Sequence, residues 1–242
     1  MKTKLLPTIV ASLLLTISSS QAGLFEDFNG SSINSGIWNT MTTGSGSSIS
    51  ISGGNGVFRD RGRLTTIQSF SQADILGRLK FTESPSDSFK IILRTDGAIQ
   101  NTQYQEAANG IMVEITSSAN WDSDASRNVR IVNLLNGGVE TIQSGLVLNM
   151  NTFYDFHIID TGTSVSAYIG NLSQPLITLQ TSASSGDKIS FYNREQIGSI
   201  NHTTQLDYIN ITTVPEPTAF ATISVTSAFL LSSRILRRKR DF

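Results

Sequence analysis

The sequence contains no cysteine, and this absence excludes a disulfide scaffold, a Cys-type zinc site and a catalytic thiol. Charged residues are scarce too, at 15% of the 242 residues, against about a quarter in an average globular protein. Serine, threonine, asparagine and glycine take their place, a composition typical of exported β-rich domains. The formal net charge is only -1. The lack of a strongly basic surface excludes a nucleic-acid binder that works by neutralising phosphates.

The first 22 residues have the pattern of a signal peptide. Two lysines within the first four residues precede an apolar run over 5–17, and small side chains at Ser20 and Ala22 occupy the positions that a signal peptidase reads. The apolar run would span only about 20 Å as a helix, whereas the hydrocarbon core of a bilayer is ~30 Å thick. We therefore predict a signal peptide over 1–22 that is removed after Ala22, rather than an uncleaved anchor.

The last 29 residues form three consecutive segments. The first is an extended tetrapeptide, Val214-Pro215-Glu216-Pro217, in which two prolines fix φ and remove backbone donors. An apolar and hydroxyl-rich stretch follows and predicts a transmembrane helix over about 218–236, which spans a bilayer if Arg234 snorkels. A basic cluster then closes the chain: Arg234, Arg237, Arg238, Lys239 and Arg240. Basic residues after a span predict a cytoplasmic C-terminus and an outward-facing body.

This tripartite tail resembles the PEP-CTERM sorting signal of Gram-negative bacteria, whose partner is the membrane enzyme exosortase. The resemblance covers 214–242 and rests on the order of the three segments at the extreme C-terminus, with an export signal upstream. It implies cleavage near Pro215 to Pro217 and release or re-anchoring at the cell surface. The high serine and threonine content of the helix departs from the pattern. An ordinary tail anchor or an amphipathic tail is the alternative.

Residues 23–213 remain as one domain, long enough to bury a core without cross-links. Without the two leader lysines and the five tail cations, this body keeps 11 of the 18 Lys and Arg residues. Without Glu216 and Asp241 it keeps 17 of the 19 acidic residues. Its charge near -6 again argues against nucleic acid as a partner.

Short β-prone runs separated by Gly, Ser, Asn and Asp clusters predict an all-β body. The predicted strands are Leu24 to Phe28, Ser47 to Ile51, Arg63 to Gln68, Ile75 to Phe81, Phe89 to Arg94, Ile111 to Ile115, Val129 to Leu134, Val139 to Ile142, Tyr154 to Asp160, Ser164 to Ile169, Leu176 to Leu179, Lys188 to Tyr192 and Leu206 to Ile211. So many strands in one domain indicate an antiparallel two-sheet sandwich. Asn136-Gly137-Gly138 and Thr161-Gly162-Thr163 are short enough to be hairpin turns.

Several segments of the body share a recognisable pattern: Phe25 to Gly30 followed by Trp38-Asn39, Leu76 to Phe81, Tyr154 to Ile158, Val165 to Gly170 and Leu206 to Ile211. Together they resemble the concanavalin A-like lectin and glucanase superfamily, a jelly-roll fold. The resemblance implies that the first and last strands pair and that sugars bind on the concave sheet or its rim. It also implies that Trp38 packs in the core or at a strand end. Fold alone does not separate lectins, hydrolases, lyases and adhesive modules.

The glucanases of that superfamily carry Glu-x-Asp-x-x-Glu on one strand, where alternation places the carboxylates on one face, about 5 Å apart in a retaining enzyme. The comparable segment here has Glu114, but Thr116 and Ala119 occupy the other two positions. We therefore predict no catalytic residue. A lyase would need a His or Tyr base, and we interpret His157 as a structural strand residue and His202 as a residue beside a loop.

The segment after that strand carries oxygen ligands at Asn120, Asp122 and Asp124 that could hold calcium, while Trp121 offers an aromatic face to a sugar ring. It resembles, distantly, the metal loop of legume lectins. An EF-hand is excluded because Arg127 stands where that loop needs glycine. The alternative is a solvated, Asx-rich turn, and no other cofactor is expected.

Arg59, Arg61 and Arg63 alternate, so on an extended strand they would share one face and could bind an acidic polysaccharide. A solvated strand edge, with Asp60 beside the cations, is the alternative.

Taken together, the sequence predicts an exported, exosortase-sorted and non-catalytic protein of the cell surface or extracellular matrix, with a jelly-roll body that binds carbohydrate. The first alternative is an atypical polysaccharide hydrolase or lyase. The second is a structural matrix or biofilm protein that binds no small ligand. Signal peptidase, exosortase, the membrane and a polysaccharide are the expected partners.

Overall fold

The computed structural model describes residues 23–42, 46–83, 88–99, 108–117, 129–135, 139–143, 146–193 and 202–214. The predicted signal peptide, the tail from Pro215 onward and the Asn136 turn lie outside these ranges. Within them the regular structure consists of fifteen strands: β1 Leu24–Glu26, β2 Trp38–Met41, β3 Ser48–Ser52, β4 Asn55–Arg59, β5 Arg63–Thr66, β6 Ala73–Phe81, β7 Ser88–Thr95, β8 Ile111–Thr116, β9 Val129–Asn133, β10 Val139–Gln143, β11 Tyr154–Asp160, β12 Ser164–Ile169, β13 Ile177–Gln180, β14 Lys188–Asn193 and β15 Thr203–Thr212. No helix long and apolar enough to cross a membrane occurs among these described residues.

The strands form two sheets in which every pairing is antiparallel. One sheet has eight strands in the order β13-β12-β11-β6-β15-β4-β3, with β1 paired to β15, and the other has seven in the order β10-β9-β8-β7-β14-β5-β2. The predicted antiparallel two-sheet sandwich is therefore confirmed. The first and last strands pair as the family resemblance implied, with Leu24 opposite Ile211.

Alternating burial along the strands explains how the sheets stack. In β6 the buried positions are Ala73, Ile75, Gly77, Leu79 and Phe81, and the residues between them are less buried. Period-2 alternation of this kind places one row of side chains between the sheets and the other row on the outside. Strand β7 is buried at all eight positions, which shows that the outer face of the seven-stranded sheet is also covered at its centre.

A buried carboxylate joins the first strand of one sheet to the edge strand of the other. The Oε1 atom of Glu26 accepts a hydrogen bond from the backbone N–H of Phe28 at 3.0 Å, and its Oε2 atom accepts one from the indole Nε1 of Trp38 at 3.1 Å. Trp38 is 1% exposed and packs edge-on against Phe191. The expected packing role of Trp38 is therefore confirmed.

Each of the thirteen predicted strands corresponds to an observed one, with ends that differ by up to three residues. The Thr161-Gly162-Thr163 turn joins β11 to β12, and Gly162 has a φ of 82°. Two strands were not predicted, β2 and β4.

Candidate functional site

Five side chains form a line across the outer face of the seven-stranded sheet. On five neighbouring strands, each stands directly opposite the next: Arg130, Glu114, Lys90, Tyr192 and Arg63. We call this set the transverse row. An adjoining residue on each strand is part of the hydrophobic core: Ile131, Val113, Ile91, Phe191 and Leu64. Because successive residues of a strand point to opposite faces, the transverse row points away from the core.

Glu114 stands between two cations. Its Oε2 atom accepts a hydrogen bond from Arg130 Nε, and its Oε1 atom lies 3.8 Å from Lys90 Nζ. Burial alone would raise the pKa of Glu114, but the positive charges of Lys90 and Arg130 outweigh it and lower the pKa to about 2. Glu114 is therefore an ionised carboxylate at neutral pH, and each of its oxygens faces a cation.

Tyr192 stands between Lys90 and Arg63 in the transverse row. The Arg63 guanidinium carbon is 4.9 Å from the centroid of its ring, and Lys90 Nζ is 5.4 Å from the same centroid. Both distances are within the range of cation–π attraction. Burial lowers the pKa of Arg63, and the Tyr192 hydroxyl opposes that effect.

Next to the transverse row runs a second, mostly apolar line. Ile92, Met112 and Val132 stand opposite one another on three neighbouring strands. With Tyr192 of the transverse row they form a buried cluster separate from the main core. On the adjacent strands the Thr65 and Ser190 hydroxyls are 2.8 Å apart and hydrogen-bonded. This part of the face therefore combines buried aromatic and aliphatic side chains with a few fixed polar groups, a composition that also lines many ligand pockets.

The site lacks the carboxylate pair of a retaining glycosidase among its described residues. Such an enzyme needs two carboxyl groups on one face, about 5 Å apart, one of them able to donate a proton. Glu114 is the only acidic residue of strands β7, β8 and β9. The next outward positions on its own strand are Met112 and Thr116.

The arrangement expected for Arg59, Arg61 and Arg63 is wrong, because the three do not lie on one strand. Arg59 ends β4 in the eight-stranded sheet and Arg63 begins β5 in the other sheet. Between them Asp60 and Arg61 form a turn, and Asp60 has a left-handed φ of 47°. This crossing between sheets separates the side chains that an extended strand would have aligned.

The environments of Arg59 and Arg63 differ accordingly. The Arg59 side chain is 42% exposed, with its Nη2 atom 3.5 Å from the Glu83 carboxylate. Arg63 is 3% exposed and belongs to the transverse row. A solvated edge therefore describes Arg59 but not Arg63.

The two histidines lie in different surroundings. His157 Nε2 is 2.7 Å from Asp74 Oδ1, and its ring stacks on Tyr168 with centroids 5.1 Å apart. This pair lies on the outer face of the eight-stranded sheet, which fits the structural role expected for His157. His202 is 1% exposed, and its backbone N–H donates to Asp60 Oδ1 at 3.0 Å.

Several predicted site residues fall outside the described ranges. These are the candidate glycan-binding and calcium-binding residues Trp121, Asn120, Asp122 and Asp124, the sorting residues Pro215, Glu216 and Pro217, and the basic cluster from Arg234 to Arg240. Val214 is the last residue that the structure describes. Conversely, no sequence motif marks Lys90, Arg130 or Tyr192, because only the pairing register of the strands brings them beside Glu114 and Arg63.

A hollow of about 440 Å³ lies elsewhere, between edge strands β2 and β3 of the two sheets. Its walls are hydroxyl-bearing and aliphatic: Ser31, Ser32, Ile33, Ser35, Thr40, Thr42, Ile49, Ser50 and Ile51. None of these side chains is an acid, a base or a cation. The hollow can form hydrogen bonds but supplies no titratable group for catalysis.

The fold is shared with solved glucanase-type structures. A β-glucanase of Bacillus licheniformis is 14% identical, with a TM-score of 0.57 over 79% of this chain and 98% of its own. LamA of Z. galactanivorans, in complex with laminaritriose and laminaritetraose, is 11% identical, with a TM-score of 0.56 over 81% of this chain and 100% of its own. A pseudo β-1,3-glucanase of Mycobacterium tuberculosis is 9% identical, with a TM-score of 0.56 over 79% of this chain and 98% of its own.

No family model matches the sequence, and no curated protein does so either. At these low identities the structural likeness establishes the glucanase-type jelly-roll fold of the body.

Proposed function

We propose that this chain is an exported surface protein that binds a polysaccharide on the outer face of its seven-stranded sheet and does not cleave it. The observation that carries the proposal is the transverse row, which places a buried tyrosine and four charged groups in register across five strands. Aromatic rings and fixed polar groups on a sheet are suited to the apolar faces and hydroxyls of sugars.

The shared fold supports the ligand class. Structures with this fold include β-glucanases and one complex with laminarin oligosaccharides. Carbohydrate is therefore the ligand class that the fold favours, although fold alone does not assign it.

The state of Glu114 supports binding without hydrolysis. A carboxylate with a pKa of about 2 has no proton to give a leaving group at neutral pH. A nucleophilic carboxylate needs an oxygen turned toward the sugar, and both oxygens of Glu114 face cations. The same pair of cations holds the Glu114 carboxylate in a fixed position. A hydrolase or lyase, and a matrix protein without ligand, are the alternatives that the experiment below separates.

Delivery to the cell surface by the signal peptide and the Pro-Glu-Pro tail completes the proposal. The pairing of Leu24 with Ile211 is consistent with it, because the described domain begins and ends on neighbouring strands. The start of β1 and the end of β15 therefore lie at the same end of the sandwich. Exosortase acting at Pro215 to Pro217 would act within a few residues of Thr212, where β15 ends.

Binding of the surface-recovered protein to a panel of polysaccharides tests this proposal. Tyr192→Leu removes the aromatic ring of the transverse row, and we expect a loss of at least about tenfold in affinity, the size of a contact worth 1–2 kcal/mol. Tyr168→Leu is the matched control, because Tyr168 is also a stacked tyrosine but lies on the eight-stranded sheet. Equal effects of the two substitutions would contradict the assignment of the binding face.

The same panel, run with calcium and with a chelator, tests the loop at Asn120, Asp122 and Asp124. Loss of binding in Trp121→Ala together with loss on chelation would assign that loop to the site. Binding that survives both would leave the sheet face alone as the site.

A further inference from the structure

Arg63 is a buried guanidinium with unused hydrogen-bonding capacity. It is 3% exposed, and its one hydrogen bond in the structure runs from Nη1 to the Gly97 carbonyl at 3.5 Å, at the outer limit of a useful bond. Its Nη2 atom is buried and has no hydrogen-bond partner. A guanidinium carries five N–H donors in a rigid fork, and the two donors on Nη2 of Arg63 are unused.

Arg94 provides the comparison within the same protein. It is also 3% exposed, but its Nε and Nη2 donate to the Asp160 carboxylate and its Nη1 donates to the carbonyls of Thr181 and Ala183. Buried charges are normally paired in this way, because an uncompensated one is costly. Arg63 departs from the rule that Arg94 follows.

The described surroundings of Arg63 supply a ring but no carboxylate. Tyr192 lies against the guanidinium at 4.9 Å, and an aromatic face attracts a cation without accepting its in-plane N–H groups. The acidic residue next to Gly97 is Asp96, whose Oδ1 atom accepts hydrogen bonds from Ala98 N at 2.7 Å and from Asn109 Nδ2 at 2.9 Å. The Asp96 carboxylate is therefore bonded to neighbouring loop residues and not to Arg63.

We infer that Arg63 binds the anionic group of an acidic sugar, with the Tyr192 ring beside it for the sugar itself. The inference rests on the proposed polysaccharide binding and specifies its ligand class. A carboxylate of a uronic acid matches the planar fork of a guanidinium and takes two parallel N–H bonds. The carboxylate would use the Nη2 donor and replace the long contact from Nη1 to Gly97. Because Nη2 is buried in this structure, binding requires the guanidinium to become accessible.

The charge of the transverse row favours the same ligand. The row contains three cations and one carboxylate, whereas the predicted mature body as a whole is acidic. An anionic polymer is repelled by most of such a body and attracted to this face. Arg63 is at one end of the row and Arg130, paired with Glu114, is at the other.

Three polysaccharides and three variants test the inference on the full mature protein. The probes are polygalacturonate for carboxylate, a sulfated galactan for sulfate and laminarin as the neutral polymer. Arg63→Met removes the charge and keeps the length, and Arg63→Lys keeps the charge and removes the fork. Arg78→Met is the control, because Arg78 also lies over an aromatic ring, at 5.1 Å from Phe153, but is paired with Asp155 and Asp207.

We expect Arg63→Met to lower the affinity for the acidic polymer at least tenfold, Arg63→Lys to lower it several-fold and Arg78→Met to leave it unchanged. The melting temperature of the free Arg63→Met protein should be no lower than that of the parent, because an uncompensated buried cation is removed. A ligand-binding arginine is thus separated from a merely structural one, whose loss would lower the melting temperature. Preference for the sulfated over the carboxylated polymer would assign sulfate as the anionic group.

Two results would overturn the inference and leave the proposed function standing. One is tight binding of laminarin with no preference for either acidic polymer. The other is binding of an acidic polymer that Arg63→Met does not change. Failure of all three polymers to bind the parent protein, by contrast, would contradict the proposed function itself.

Discussion

Arg94 of the seven-stranded sheet and Asp160 of the eight-stranded sheet form a buried, forked ion pair between the two layers. Arg94 Nε lies 3.1 and 3.0 Å from the two carboxylate oxygens, and both side chains are 3% exposed. Arg94 has a left-handed φ of 53°, which breaks the alternation of β7 and turns the side chain toward the other sheet. Asp160 Oδ1 also accepts the N–H of Gly162 at 2.8 Å, so the pair fixes the β11–β12 turn.

We predict that Asp160→Asn destabilises the fold by about 3–5 kcal/mol, because it leaves a buried guanidinium without its counter-charge. Urea unfolding of the parent and the variant measures this difference. Asp207→Asn is the control, since its ion pair with Arg78 is at the surface, at 3.4 Å, and is worth less than about 1 kcal/mol. Similar losses in the two variants would contradict the bridging role of Asp160.

The ion pairs of Glu114 predict a dependence of stability on pH. The pKa of Glu114 is lowered from 4.5 to about 2 in the folded protein. Its contribution, on the order of 3 kcal/mol from that shift, is therefore complete above about pH 5 and is lost as the pH falls through 4.5 toward 2. Glu114→Gln should be less stable than the parent at pH 7, and the difference should shrink below pH 4.

Unfolding free energies measured at several pH values between 7 and 2.5 test that prediction. A difference between parent and Glu114→Gln that stays constant over the whole range would show that the carboxylate does not titrate in this window. The comparison of parent and Glu114→Gln also tests whether the two cations keep Glu114 ionised, which is one reason for proposing binding without hydrolysis.

Gly77 predicts a packing limit in the eight-stranded sheet. A Cβ atom at this position would lie 2.2 Å from Cζ of Phe156, whose ring covers the glycine from the opposite position on β11. We expect Gly77→Ala to cost about 1–3 kcal/mol, since an added methyl group overpacks a filled core. Gly30→Ala, whose new Cβ would first meet Ser32 O at 3.4 Å, should change the melting temperature little. A Gly77→Ala protein as stable as the parent would show that the ring moves freely.

The sequence predicted most strands because they alternate and are bounded by turn residues. It missed β4 because Asn55 and Gly56 have the composition of a turn, although the glycine is needed where a Cβ would lie 2.6 Å from Phe28 Cε1. It missed β2 because only four residues of it pair, at the edge of a sheet. In both cases tertiary packing outweighs local propensity.

The candidate site was less predictable than the fold. Glu114 and Arg63 were singled out from the sequence, but for motifs on separate strands. The transverse row depends on the pairing register of β5, β14, β7, β8 and β9. Sequence periodicity gives the face on which a side chain lies and not its neighbour on the next strand. The left-handed φ of Asp60 separates Arg59 from Arg63. Aspartate tolerates this conformation, but its presence in a sequence does not predict it.

The proposed export and sorting predict both ends of the mature protein. We expect protein recovered from the cell surface to begin at Gly23 and to end near Pro215 to Pro217. Intact-mass measurement decides this directly, and a protein with Pro217→Ala is the control for the Pro-Glu-Pro segment. A surface protein that still ends in Phe242 would contradict the processing step.

Binding without cleavage is the central claim, and one measurement tests it most directly. The full mature protein is incubated with the polysaccharide that it binds best, and the size distribution and reducing ends of the polymer are followed while the bound fraction is measured. The account predicts saturable binding that Tyr192→Leu weakens at least about tenfold, with the polymer unchanged in length and in reducing ends. Shortened chains or new reducing ends, lost in Glu114→Gln, would contradict it and identify an enzyme that cleaves the polysaccharide.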